Sequence, residues 1–301
     1  MITPKFWNDK GVVSTVLLPF SWLYGAIVQF RLKKSGYKSK AKVICVGNVT
    51  AGGVGKTPVC MALAEKYIKE GKRVCFVTRG YKGKLKNIIV DLDKHSAVET
   101  GDEARLLANV ATTIISPDRA YGAKIAEDLG FDIIVMDDGF QNPSLIKDEC
   151  VIVFDGKVGI SNGRVLPAGP LRETLKNGEK RATYAIIMGK DETGLADKIS
   201  IPCYFGEIEP EHLNIEGAKV LAFAGIGRPS KFYETLKSLG YDVVETQDFA
   251  DHYAYTKEDI DSLKERAIAK GLLLITTEKD IVKLDADMRK DIHCLKIKAV
   301  W

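Results

Sequence analysis

Lys56 and Thr57 close a glycine-rich turn, Thr50-Ala51-Gly52-Gly53-Val54-Gly55, that follows the apolar run Val43-Ile44-Cys45-Val46. An apolar strand, a glycine turn, then Gly-Lys-Thr opening an amphipathic segment is the pattern of a phosphate-binding P-loop. Glycines let consecutive backbone N–H groups converge on phosphate oxygens with no Cβ in the way. The helix that begins at Lys56 adds its unpaired N–H groups and positive dipole end. Lys56 is expected to reach the β- and γ-phosphates of ATP, and the Thr57 hydroxyl to hold Mg²⁺. The usual pattern has glycine five residues before Gly55, where this chain has Thr50.

Four further groups carry chemistry. Phe131-Asp132-Ile133-Ile134-Val135-Met136-Asp137-Asp138 is an apolar strand ending in acid, a Walker B-type element whose carboxylates orient Mg²⁺ and its waters. Gly163 to Glu173 is a long irregular stretch, and long loops in compact domains are usually functional. Arg172 within it offers a cation to a transferring phosphoryl group. Asp102, in Thr100-Gly101-Asp102-Glu103, either caps the following helix or faces the site. His252, one of four histidines, lies on a loop between a strand and a Thr256-capped helix.

The elements that position these residues alternate. Strands are expected at 73–78, 88–91, 112–116, 150–154 and 183–188, with a helix over 57–70 and another from Pro117 to about Gly130. Arg79-Gly80-Tyr81-Lys82-Gly83 makes a basic loop at a strand's carboxyl end, where open α/β sheets contact ligands. The strand at 183–188 is expected to complete this first sheet. A second βα series runs through 219–224, a helix to Leu239, 242–246, 257–270 and 271–276, with a capping-box pattern at Thr277 and Asp280. Gly225-x-Gly227 reads as a structural turn. The fold class is α/β, a P-loop NTPase-type α/β/α sandwich with a second, smaller α/β domain and the site between them. The domains expected are an N-terminal membrane-associated helix over 1–36, a P-loop domain over 37–203 and a C-terminal α/β domain over 204–301.

Composition limits the function classes. With 44 basic and 40 acidic side chains the net charge is +4, which gives no electrostatic case for nucleic acid. The six cysteines show no C-x-x-C pair or metal-ligand spacing, and with a nucleotide site they favour a reducing cytoplasm. From Gly11 to Phe30 there is no charged residue, and Arg31, Lys33, Lys34, Lys38, Lys40 and Lys42 follow. A cleaved signal peptide lacks its A-x-A-like site. A spanning helix is weakened by Pro19, Ser14, Thr15, Ser21 and Gln29. An interfacial helix, with aromatics at headgroup depth and a basic flank for anionic lipid, fits better. A helix packed on the core of the P-loop domain is the fourth reading.

The motifs GNVTAGGVGKTP, RGY, TGDEA, DDGFQ, GRVLPAGPLRE, DFADH and TTEKD, in this order, resemble the tetraacyldisaccharide 4'-kinase family over nearly the whole chain. The resemblance implies phosphoryl transfer from ATP, with Mg²⁺, to the 4'-hydroxyl of a tetraacylated glucosamine disaccharide 1-phosphate, giving lipid IVA. It implies a monomeric enzyme on the cytoplasmic face of the bacterial inner membrane, held there by its N-terminal helix. It carries over Asp102 and His252 as a catalytic pair, with Asp102 accepting the sugar hydroxyl proton and His252 tuning that carboxylate. Thr50 also matches the family's loop. Where the family commonly carries His-Arg after DDGFQ, this chain has Asn142-Pro143-Ser144.

Two other classes share the phosphate loop. Partition and division-site ATPases carry K-G-G-x-G-K-T, but Ala51 replaces their signature lysine. A GTPase needs an N-K-x-D base-reading motif, and Thr277-Glu278-Lys279-Asp280 fails at its first residue.

Overall fold

The computed structural model describes residues 4–211, 213 and 217–301. Among the described residues the strands are β1 (Lys42–Gly47), β2 (Val74–Thr78), β3 (Ile88–Ile89), β4 (Thr112–Ile115), β5 (Ile133–Asp137), β6 (Glu149–Asp155), β7 (Tyr184–Met188), β8 (Cys203–Pro210), β9 (Lys219–Ala224), β10 (Asp242–Asp248), β11 (Leu273–Thr277), β12 (Ile292–Leu295) and β13 (Ile297–Val300). The α-helices are α1 (Val12–Val16), α2 (Leu18–Leu32), α3 (Lys56–Lys69), α4 (Ala97–Thr100), α5 (Asp102–Ala108), α6 (Arg119–Asp128), α7 (Leu175–Glu179), α8 (Pro229–Ser238), α9 (Lys257–Lys270) and α10 (Glu278–Ile281).

A nine-stranded sheet in the order β13-β8-β7-β6-β1-β5-β2-β4-β3 forms the large lobe, and β10-β9-β11-β12 forms the small one. The central strands are parallel and continuous apolar runs, as both faces are covered. One face packs Val59, Leu63 and Leu107 of α3 and α5, the other Ala123 and Ala126 of α6 with Phe140 and Leu171. In the small lobe, α9 covers one face and α8 the other. With β1 central, the P-loop leaves the sheet at its middle, where strand order reverses and ligands bind.

Three expectations are corrected. The first sheet does not end at 188: β8 pairs parallel with β7, and the chain-terminal β13 pairs antiparallel with β8. Residues 203–210 and 297–300 therefore belong to the large sheet rather than to a separate C-terminal half. Pro117 does not open the next helix, because the Asp118 carboxylate takes the cap by accepting the Ala120 N–H, and the helix begins at Arg119. The uncharged N-terminal run is not one helix. Pro19 has no N–H to donate back to Thr15, and the segment breaks at Leu17 into α1 and α2. At 15 residues, α2 is about 22 Å long against a ~30 Å apolar core, and among the described residues no helix is long and apolar enough to cross a membrane.

Helices α1 and α2 are held by their polar residues. The Ser14 hydroxyl donates to the Ala168 carbonyl at 2.6 Å, and Ser21 donates to Val165 at 2.8 Å. Trp7 Nε1 donates to the Pro167 carbonyl at 3.0 Å. Outward stand Val12, Val16, Phe20, Trp22, Leu23 and Phe30, each at least 62% exposed. This inverts the ordinary surface helix, which buries its apolar stripe.

Candidate active site

The P-loop is shaped by two glycines. Gly55 has φ 85°, the left-handed geometry that turns the chain into α3, and a Cβ at Gly47 would collide with that of Phe140. The loop is also braced by the 163–173 segment. The Ala51 N–H donates to the Pro170 carbonyl at 2.8 Å, the Arg172 N–H to Val49 at 2.7 Å, and Thr50 bridges Leu171. One antiparallel contact thus fixes Val49-Thr50-Ala51, the start of the P-loop, against the loop that carries Arg172.

Five predicted residues, Lys56, Thr57, Asp137, Asp138 and Arg172, converge at its mouth. Arg172 Nη1 lies 3.0 Å from Asp138 Oδ1, and Lys56 Nζ lies 3.7 Å from the same oxygen and 3.5 Å from Asn48 Oδ1. Burial alone would raise the Asp138 carboxyl, but Lys56, Arg172 and Arg79 hold it below its ordinary value. Asp138 sits at φ 50°, a strained geometry for a non-glycine residue. Asp137 is deeper. Burial pushes its carboxyl well above the ordinary range, with the Glu103 charge adding to the effect. The Thr57 hydroxyl donates to Asp137 Oδ2 at 3.4 Å.

Thr57, Asp137 and Asp138 suit Mg²⁺: all are hard oxygen donors, and a cation would relieve the burial of the Asp137 carboxylate. No cluster of three His, Cys, Asp or Glu occurs among the described residues. Mg²⁺ needs none, since it retains waters and phosphate oxygens and takes one or two carboxylates.

Asp102 and His252 meet across the lobes. Asp102 is the first residue of α5, with Gly101 at the cap, and His252 sits on the small lobe's loop after β10. His252 Nδ1 is 2.8 Å from Asp102 Oδ2, while Asp102 Oδ1 accepts the Glu103 N–H at 3.1 Å. Burial would raise Asp102, but the His252 hydrogen bond and the charges of Lys279 and Lys283 bring it below its ordinary value. His252 has φ 63°, and its N–H donates to the Gly225 carbonyl. Gly225 in turn donates its N–H to Asp280, consistent with a structural turn there.

Several site residues were missed by sequence reasoning. Gln141 Nε2 donates to the Asn48 carbonyl at 2.9 Å and to Glu173 Oε1 at 3.0 Å. Glu173 is buried and takes both oxygens of its carboxylate to Arg181 at 2.5 Å. Gln29 of α2 reaches the same carboxylate at 3.4 Å, so the N-terminal helix touches the site through Glu173. Arg119 is buried, pulled down to about 10 by burial and by the charge of Arg79. Its Nε is the single buried side-chain polar atom without a partner among the described residues. The guanidinium also donates to the Ser116 carbonyl, which leaves Nε as a free donor at the start of α6. Arg119 ends the turn Ser116-Pro117-Asp118 that links β4 to α6.

This geometry has relatives. The model for "LpxK: Tetraacyldisaccharide-1-P 4'-kinase" matches residues 13–301. A tetraacyldisaccharide 4'-kinase of Paramagnetospirillum magneticum is 43% identical, covering all of this chain and 95% of that one. That of Rhodospirillum rubrum is 41% identical, over all of this chain and 94% of its own. A crystal structure of LpxK from Aquifex aeolicus in complex with ATP superimposes with a TM-score of 0.76 at 32% identity, covering 96% of this chain and 95% of that one. A P-loop braced by the Arg172 segment, two acids at the end of β5 and an Asp–His contact between lobes all lie within that match, and the chain belongs to the tetraacyldisaccharide-1-phosphate 4'-kinase family.

Proposed function

We propose the following division of labour for the family's reaction, in which a phosphoryl group passes from ATP to a sugar hydroxyl of a lipid disaccharide 1-phosphate. The P-loop backbone from Thr50 to Gly55 and the Lys56 ammonium hold the triphosphate. Mg²⁺, held by Thr57 and the Asp137 and Asp138 carboxylates directly or through water, would offset charge on the phosphate oxygens. Arg172 and Lys56, which share Asp138, neutralise the transferring group as its bond to the leaving phosphate loosens. Arg119 and Arg79 are cations for an anion of the acceptor or nucleotide.

Asp102 aligns the acceptor hydroxyl and takes its proton. A carboxylate cannot deprotonate an alcohol in the ground state, so the transfer accompanies bond formation: the hydroxyl oxygen gives its electron pair to phosphorus, its proton moves to Asp102, and ADP leaves. His252 orients that carboxylate. The observation that carries this reading is the 2.8 Å contact between residues 150 positions apart, one from each lobe. The test is Asp102→Asn, which keeps shape and hydrogen bonding but removes the base. With labelled ATP and tetraacyldisaccharide 1-phosphate, label transfer should collapse while ATP affinity persists. Efficient labelling by Asp102→Asn would falsify the assignment.

The exposed apolar face of α1 and α2 favours an enzyme lying on the membrane surface, with the basic residues from Arg31 onward directed to anionic headgroups. ATP supply favours the cytoplasmic side. The acyl chains of the acceptor then reach the site along α2, whose Gln29 contacts Glu173.

A further inference from the structure

The imidazole of His252 has a second nitrogen, and what faces it belongs to no step above. Nδ1 lies 2.8 Å from Asp102 Oδ2. An ionised carboxylate only accepts, so Nδ1 carries hydrogen. Nε2 then holds either a lone pair or a second proton. Lys279 Nζ stands 3.4 Å from Nε2. An ammonium has three donors and no acceptor, so a hydrogen bond between these atoms exists only if Nε2 offers its lone pair.

The other groups facing the ring do not supply an alternative. Asp251 Oδ1, on the same loop, is 3.8 Å from Nε2, beyond hydrogen-bond distance, and is itself engaged by Lys279 at 3.4 Å. Tyr81, on the loop after β2, meets the imidazole edge-to-face with ring centroids 6.1 Å apart. Among the described residues, Asp102 from α5, Lys279 from α10, Asp251 and Tyr81 are the charged or titratable groups that meet the ring.

Lys279 is not free to drift. It rides on the first turn of α10, whose Thr277 cap accepts the Asp280 N–H at 3.2 Å. Asp280 is fully buried and fixed by the Gly225 N–H at 3.1 Å, the Tyr255 hydroxyl at 3.0 Å and Lys283 at 2.7 Å. Just past α10, the Val282 carbonyl accepts from Arg105 Nε of α5 at 3.0 Å. The segment that carries Lys279 is therefore tied to the helix that carries Asp102.

We infer that Lys279 is a positioning residue for the phosphoryl transfer: by donating to Nε2 it holds His252 as a neutral imidazole with its hydrogen on Nδ1, so that Asp102 meets a ring N–H rather than an imidazolium. An imidazolium would share its proton with Asp102 and occupy the carboxylate that must accept the hydroxyl proton. A neutral N–H orients the carboxylate and leaves its remaining lone pairs open. The inference rests on the catalytic reading of the Asp102–His252 pair.

The test uses the full chain with Lys279→Met, which keeps the aliphatic stem, and Lys279→Arg, which restores a donor. Lys279→Met should lower kcat about tenfold with little change in KM for ATP. The acid limb of its kcat/KM profile should move to higher pH, since a proton no longer competes with an ammonium for Nε2, and Lys279→Arg should bring the limb back. Ring ¹⁵N spectra of His252 should show hydrogen on Nδ1 and a bare Nε2 in the wild type at neutral pH, and Nε2 protonation in Lys279→Met. An unchanged limb and spectrum in Lys279→Met, or a wild-type ring already protonated at Nε2, would overturn the inference. Should Asp102→Asn stay active, the reading of the pair falls on that result alone. With the reading of the pair intact, the role of Lys279 falls on the limb and the spectrum.

Discussion

Ser21 hydrogen-bonds twice to one loop, donating its hydroxyl to the Val165 carbonyl at 2.8 Å and accepting the Ala168 N–H at 3.0 Å. A serine satisfied on the inside of α2 frees the outside for Phe20, Trp22 and Phe30, and this determines how the membrane question is asked. Removing residues 1–36 would strip Trp7, Ser14 and Ser21 from the 163–173 segment, and with them the support of Arg172. Substitution on the exposed face avoids this. Phe20→Ser/Trp22→Ser/Phe30→Ser should leave the fold and ATP binding intact, reduce flotation with anionic vesicles several-fold, and raise KM for the acylated acceptor. Flotation equal to wild type would show that the face has another use.

Lys56→Ala tests the phosphate loop. Among the described residues Lys56 Nζ has Asn48 at 3.5 Å and Asp138 at 3.7 Å, contacts too long to hold the fold together. The variant should unfold at nearly the wild-type temperature and lose turnover by about two orders of magnitude or more, a split between stability and activity that marks a ligand-directed side chain. Stopped-time assays at saturating ATP beside a melting curve check it.

Asp102 gives the enzyme a pH signature. Its carboxyl is lower in the folded state than its ordinary value, burial being outweighed by His252 and Lys279. A group depressed on folding contributes stability that is complete above the unfolded value, about 3.9, and is lost as pH falls through the folded one. Asp102→Asn imitates the protonated acid. The wild type should therefore melt above Asp102→Asn at neutral pH, and the gap should close as the pH drops below about 4. A gap that stays constant into acid would mean that the charge on Asp102 does not stabilise the lobe contact.

Sequence and structure agree most where signals are local. Helix α9 runs from Lys257 to Lys270 as read, because a Thr256–Asp259 capping box opens it and Gly271 closes it in the left-handed conformation. The P-loop was legible for the same reason: strand, glycines and helix start are contiguous. Partnership across distance was not. Nothing within Ile297–Val300 says that it pairs with Glu207–Pro210, so the extent of the large sheet was lost. Lys279 read as part of a capped turn, since its partner His252 is 27 residues away. Glu173 and Gln141 were seen as motif letters only, because their roles arise where three loops meet. The N-terminal run reads as one helix, and the break at Leu17 follows from Pro19, which has no N–H to give back to Thr15.

Asp102 and His252 make the strictest prediction, because two lobes must cooperate. Each side chain is nearly buried, and the shortest side-chain contact of each is with the other. If they serve a single step, Asp102→Ala and His252→Ala should each cut kcat by about 10²-fold or more, and the double variant should fall little further. Independent roles would instead multiply. Nucleotide affinity should hold in all three, since neither residue touches Lys56, Thr57 or the acids at the end of β5. The KM for the acceptor separates a second possibility. Were the contact only a latch between lobes, losing either partner would raise KM for both substrates and lower the melting temperature together, and the double variant would again add nothing. Full activity loss at unchanged ATP affinity therefore identifies a shared chemical step, and a parallel fall in ATP affinity and stability identifies a latch.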